Sequence, residues 1–283
     1  MGAAWPIQSF TWAPSNQSPR ATLLCIHGLG LHAGTFKVFG ERMAELGIAT
    51  YALDVRGCGR WQTGKGKSNL NLAACTTDVT TLLSVIRQRH PHIPAFILGE
   101  SLGSAIAVAA AVKERQLIDG MILSAPARFS QDHGREIADV VWHALTSFGR
   151  PMCIEGAVGK FAPDVISWHR SDPLIRLRYS ISELFHMGRF LIASFDALPK
   201  LPDVPVLVIQ GHADELIKTQ RTIAYFERLP CTDKQLLLLG DQGHLILTTR
   251  NLPHQLTAMV GSWLTDRLPE NTEELPPHLR RAS

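Results

Sequence analysis

The sequence predicts an α/β fold: a mostly parallel central sheet of about seven strands flanked by helices, with a helical insertion. Three observations predict it. Short runs rich in Val, Ile and Leu recur along the 283 residues, as strands buried on both faces require. Longer segments of helical period separate several of them. One run ends in a Gly-x-Ser-x-Gly turn followed by a small, apolar stretch suited to a buried helix.

Taken in order, Ile7 to Trp12 is a candidate edge strand and Thr22 to Ile26 the first central one. Phe36, Phe39, Met43 and Leu46 follow at spacings of three, four and three, and Gly47 can take the left-handed turn that ends a helix, so a helix fills 35–46. Ile48 to Asp54 is the next strand. Val79, Leu82, Leu83 and Ile86 sit at i, i+3, i+4 and i+7, the strongest amphipathic pattern in the chain, and Pro91 stops it. Ala95 to Leu98 feeds the glycine turn, Ser104 to Val112 forms the buried helix, and Gly120 to Ser124 is a further strand. Residues 127–200 break the alternation: aromatics such as Trp142, Phe161 and Phe190 punctuate helix-like stretches, the pattern of an inserted cap. Val204 to Gln210 and Gln235 to Leu239 complete the strands. Leu256, Met259, Val260, Trp263 and Leu264 predict a closing helix just after Pro253. From Pro269 the residues turn polar, with Pro276 and Pro277 consecutive, which reads as a mobile tail. The core is therefore assigned to 1–126 and 201–268, the cap to 127–200 and the tail to 269–283.

Composition narrows the function. Hydrophobic residues make up 45% and charged residues 19%, so the chain is neither disordered nor a coiled coil. A net charge of +3 is too small for a general nucleic-acid surface. No apolar run is long enough to span a bilayer, and Met1 to Phe10 lacks the character of a secretory leader, so a cytoplasmic location is expected. Pro6 stands where a myristoylation signal needs Ser or Thr. The cysteines, Cys25, Cys58, Cys75, Cys153 and Cys231, are odd in number and scattered, which predicts neither a disulfide framework nor a metal site. Transient membrane contact through cap residues is conceivable, although no basic amphipathic helix announces it.

The glycine turn, Gly99-Glu100-Ser101-Leu102-Gly103, carries the chemistry. A serine held there adopts strained dihedrals, and glycines on either side let strand and helix cross closely, so the hydroxyl projects into a cleft. A serine hydroxyl is a poor nucleophile near neutral pH and needs an imidazole to take its proton and a carboxylate to orient that imidazole. The strand ending at Gln210 leads into Gly211-His212-Ala213-Asp214, which places Asp214 beyond a strand's carboxyl end, where sites on such sheets form. Glu215 and Asp241 compete for the same role, and Asp214 also suits a helix cap. The next strand leads into Gly240-Asp241-Gln242-Gly243-His244, which makes His244 the general base. A developing oxyanion needs two fixed donors. The amide of Leu102 supplies one, and the amide of Leu29, in the turn Ile26-His27-Gly28-Leu29-Gly30, the other. His27 braces that turn rather than moving protons.

Together, His27-Gly28-Leu29-Gly30, Asp54-Val55-Arg56-Gly57-Cys58-Gly59, Gly99 to Gly103, Asp214 and Gly243-His244 resemble the α/β-hydrolase superfamily, most closely its monoacylglycerol lipase and lysophospholipase-like branch, over residues 20 to 266. Ser171-Asp172-Pro173-Leu174 resembles a feature of the same branch. The resemblance implies a carboxylic ester hydrolase without metal or organic cofactor, acting on a small-molecule or lipid ester. Two departures stand out. Arg60 and Trp61 follow Gly59 where the branch usually has a serine, within a loop bearing Arg56, Arg60, Lys65 and Lys67 that is either a solvated face or an anion-recognition element. Only one strand precedes Thr22. Other readings of the same triad are a serine peptidase of the proline iminopeptidase kind, with Glu155 or Glu183 holding an amino terminus, a non-lipid esterase or thioesterase, and a receptor that barely turns over.

Overall fold

A computed structural model describes residues 7–63, 69–128, 152–155, 167 and 171–268. Seven strands form one sheet in the order β1-β3-β2-β4-β5-β8-β9. They are β1 (Ser9–Trp12), β2 (Ala21–Ile26), β3 (Ile48–Leu53), β4 (Ala95–Glu100), β5 (Gly120–Ser124), β8 (Val206–Gly211) and β9 (Lys234–Leu239). Only β1 runs antiparallel, pairing at the edge with β3; β2 through β9 pair in parallel. The sequence expectation of a mostly parallel sheet with one leading edge strand therefore holds, with strand ends shifted by at most two residues.

Side chains alternate between two cores, as a period of two demands. Leu24 and Ile26 of β2 face the core that also takes Val79, Leu82, Leu83 and Ile86, while Leu23 and Cys25 face the one that takes Phe39 and Met43 with Val260 and Trp263. Helix α1 spans Lys37–Glu45, preceded by a single tight turn at Ala33–Phe36, and α2 spans Leu72–Arg89, capped by Asn71 Oδ1 accepting from the Ala74 amide at 2.9 Å. Helix α3, Leu102–Lys113, is buried along nearly its whole length between sheet and α2, so its all-round apolar sequence is what its position requires.

Within 127–200, expected to be a cap, β6 (Met152–Cys153) and β7 (Arg178–Tyr179) pair as a short ribbon, where the sequence suggested only helices, and α4 (Ile181–Asp196) follows behind a Ser180/Glu183 capping box. Helix α5 (Thr219–Glu227) was not expected; only Thr222 and Tyr225 of it are buried, too few for a clear periodic stripe. Helix α6 (His254–Thr265) closes the second core as expected. Most of the expected cap, the tail at 269–283, and Lys65 and Lys67 lie outside the described residues. All five cysteines are free; Cys153 alone among them is exposed. Among the described residues no helix is long and apolar enough to cross a membrane.

Candidate active site

Ser101 occupies the turn between β4 and α3 with φ 55° and ψ −118°, a conformation that L-residues seldom adopt. Its amide is tied to the Ser124 carbonyl at 2.9 Å, which holds the turn against the end of β5. A Cβ on Gly99 would collide with the Gly103 carbonyl, and one on Gly103 with the Ile26 carbonyl, so both flanking glycines are required by close backbone approach. The obstacle is backbone rather than a movable side chain. Gly103→Ala is accordingly expected to cost about 3 kcal/mol or more of unfolding free energy, measurable by urea denaturation.

Asp214 and His244 come from the loops after β8 and β9, at the same end of the sheet as Ser101. His244 Nε2 lies 2.9 Å from Ser101 Oγ and its Nδ1 lies 2.8 Å from Asp214 Oδ2. All three side chains are buried. Asp214 Oδ1 also accepts the Leu216 and Ile217 amides at 2.8 and 2.9 Å, so the capping geometry weighed from the sequence and the contact with the imidazole coexist on one carboxylate. Burial would push this carboxyl up, but the hydrogen bond and charge of His244, with the Ile217 amide and Gln210, outweigh it and hold it below the usual range. Glu215 and Asp241, the competing acids, are exposed on the surface. Gln210 was not foreseen: its Nε2 reaches Asp214 Oδ2 at 3.1 Å while its Oε1 accepts from Thr222 at 2.6 Å.

The turn after β2 packs on the serine, since a Cβ on Gly28 would stand 3.8 Å from Ser101 Oγ. The amides of Leu29 and Leu102 therefore belong to the two segments that border the hydroxyl. His27 braces the turn. Its Nε2 accepts the Val55 amide at 2.9 Å, which leaves Nδ1 to donate to the Gly28 carbonyl at 2.7 Å. Asp54 assists by accepting the Ala33 amide at 2.7 Å. Complete burial lowers the His27 pKa from 6.5 to about 4. Because the unfolded chain binds the proton more tightly, this residue contributes full stability above pH 6.5, and that contribution is lost as pH falls towards 4. The loss is about 3 kcal/mol. Thermal unfolding of His27→Gln should show a flatter acid limb between those pH values than the native chain.

Residues 172–176 lean on the same turn. His32, whose importance the sequence did not reveal, accepts the Gly34 amide with Nδ1 and donates from Nε2 to Asp172 at 2.9 Å. The Arg176 amide donates to the Gly30 carbonyl at 2.8 Å, and its guanidinium reaches the Gly57 carbonyl and both oxygens of Glu183. In the basic loop, Arg56 forms a two-pronged pair with Asp78 and lies over Trp61, while Arg60 lies over Phe10 and beside Asp54. Both guanidiniums are thus engaged within the chain. Among the described residues no group of three or more His, Cys, Asp or Glu side chains is arranged to hold a metal ion.

The family model described as serine aminopeptidase, S33, matches residues 17–251. A monoacylglycerol lipase of Mycolicibacterium smegmatis is 27% identical over 267 residues, covering 91% of this chain and 92% of that protein. The monoglyceride lipase of Rattus norvegicus is 25% identical over 269 residues, covering 91% and 86%. The crystal structure of a monoacylglycerol lipase from Paleococcus ferrophilus superposes with a TM-score of 0.70 at 20% identity, covering 92% of this chain and 99% of that one. With a family match over most of its length and relatives aligned nearly end to end, the chain belongs to the serine aminopeptidase S33 family, in the monoacylglycerol lipase-like branch of the α/β-hydrolases, and is a carboxylic ester hydrolase.

Proposed function

We propose that the protein hydrolyses a lipid-like monoester, a monoacylglycerol or a lysophospholipid, through an acyl-enzyme intermediate. The observation that carries this reading is the continuous hydrogen-bonded chain from Ser101 Oγ through the imidazole of His244 to Asp214, at 2.9 and 2.8 Å. Ser101 attacks the ester carbonyl as His244 Nε2 takes its proton, and Asp214 stabilises the imidazolium that results. The amides of Leu29 and Leu102 donate to the tetrahedral oxyanion. His244 then returns the proton to the departing alcohol. Water, activated by the same imidazole, attacks the acyl-serine and releases the carboxylic acid.

The lipid side of the reading draws support from the relatives, which are monoacylglycerol lipases, and from the apolar and aromatic content of 127–200, which we assign as a cap over the acyl group. It keeps the cytoplasmic placement and transient contact with a lipid surface expected from the sequence. A peptidase would need an acid to hold a free amino terminus. Glu183, one candidate, is already engaged by Arg176, Ser180 and the Leu70 amide. Hydrolysis rates for monoacylglycerols of short, medium and long chain, a lysophospholipid and matched aminoacyl amides test the reading. Fastest turnover is expected on a monoacylglycerol or lysophospholipid, and preference for the amides would overturn it.

A further inference from the structure

We propose that Glu100, the variable residue of the Gly-x-Ser-x-Gly turn, is a positioning residue for His244: its carboxylate suspends the loop that follows the histidine from the strand end that carries Ser101. The inference rests on the triad reading above and extends it to a residue that touches neither substrate nor the reacting atoms.

Glu100 is the last residue of β4 and is wholly buried. Its Oε1 accepts the Ser124 hydroxyl at 3.0 Å, the Ile246 amide at 3.0 Å and the Leu247 amide at 2.7 Å. Its Oε2 accepts the Thr248 amide at 3.2 Å and the Thr248 hydroxyl. Three consecutive amides beginning two residues after His244 thus converge on one side chain next to the nucleophile. All five partners donate, the inventory of an acceptor-only carboxylate; the side-chain oxygen of a glutamine would serve only part of it, and its NH2 would point at another donor.

The imidazole is therefore located from two directions. Asp214 holds Nδ1 from the β8 side, and Glu100 fixes the backbone just beyond the histidine from the β4 side. Since Ser101 is the residue after Glu100, the separation between Oγ and Nε2 is set across a short, rigid path. A buried carboxylate in an otherwise apolar strand is costly, and an apolar residue would fill the space at less expense. None of the ion pairs among the described residues includes Glu100. Five N–H and O–H dipoles point at its side-chain oxygens, and the first of the three amides among them lies two residues beyond His244. Titratable groups near this pair, among the described residues, include Asp214 beyond β8, bonded to His244, and the Cys25 thiol on β2, which burial, with the charge of Glu100, pushes up. Charge and geometry act in the same direction on the general base.

Glu100→Gln, Glu100→Asp and Thr248→Val separate the two contributions, with Ser101→Ala as control. On p-nitrophenyl butanoate, Glu100→Gln is expected to lower kcat by about 10- to 100-fold with KM within about two-fold, and to move the acid limb of kcat/KM down by roughly half a unit to one unit. Glu100→Asp keeps the charge but shortens the reach, so kcat falls while the acid limb stays in place. Thr248→Val removes one donor and lowers kcat by about three-fold with the limb unmoved. A Glu100→Gln enzyme with native kcat and an unmoved limb overturns the proposal. If that variant does not fold, native kcat in both Glu100→Asp and Thr248→Val overturns it. Turnover retained by Ser101→Ala would instead remove the triad reading itself, so the two failures are distinguishable.

Discussion

Ser101→Ala is expected to lower ester turnover by about 10⁴- to 10⁶-fold, judged from other serine hydrolases, while the circular dichroism spectrum and melting temperature should stay near those of the native protein. On the proposed mechanism the loss is this large because no covalent intermediate could form, and what remained would be the contribution of the oxyanion donors and binding. The fold survives because the hydroxyl makes its hydrogen bond with His244 alone among the bonds that define the turn; the backbone bond to Ser124 and the close passage of Gly99 and Gly103 are untouched. Alanine fits the same space. A fluorophosphonate should label the native serine and leave the variant unlabelled. Retained turnover would refute Ser101 as the nucleophile.

The second large effect is expected at Asp214. In Asp214→Asn the side chain still presents an oxygen to the Leu216 and Ile217 amides, so the loop keeps its shape. The amide nitrogen then faces His244 Nδ1 and donates to it, which favours the tautomer carrying its proton on Nε2. That nitrogen can no longer accept from Ser101, and kcat should fall by about 10⁴-fold, the scale of this change in another triad. The charge that stabilises the imidazolium is lost as well. Steady-state kinetics at pH 7 to 9 measure the effect; a loss smaller than ten-fold would return the orienting role to another acid.

Much of this arrangement was legible before any coordinates. The sheet could be read because buried parallel strands leave continuous apolar runs, and Ser101, Asp214 and His244 follow three of those runs at their carboxyl ends, where the structure brings them within hydrogen-bond distance. What escaped was set by partners distant in sequence. His32 meets Asp172, 140 residues away, and a lone histidine after a glycine turn gives no hint of it. Gln210 was visible as the polar end of an apolar run and Glu100 only as the variable residue of the glycine turn; the partners that bury both side chains lie on segments that no local pattern specifies. The Ser180/Glu183 capping box stood in the sequence as Ser-x-x-Glu and marks the start of α4; the surrounding insertion, with its mixed ribbon and helix, obscured the period. Helix α5 rests on tertiary packing more than on its own pattern, which is why it was missed.

The latch between residues 172–176 and the Gly30 turn has one more consequence. Asp172 holds His32 and the Arg176 amide holds the Gly30 carbonyl, on either side of the strip that carries Leu29, the oxyanion donor we propose, so an ester whose alcohol pushed that strip out of place would lose stabilisation of its transition state rather than binding. Such compounds would occupy the enzyme and yet react slowly. Discrimination against oversized esters would then be recorded in the speed of bond breaking, and crowded esters would behave as competitive inhibitors of the smaller ones.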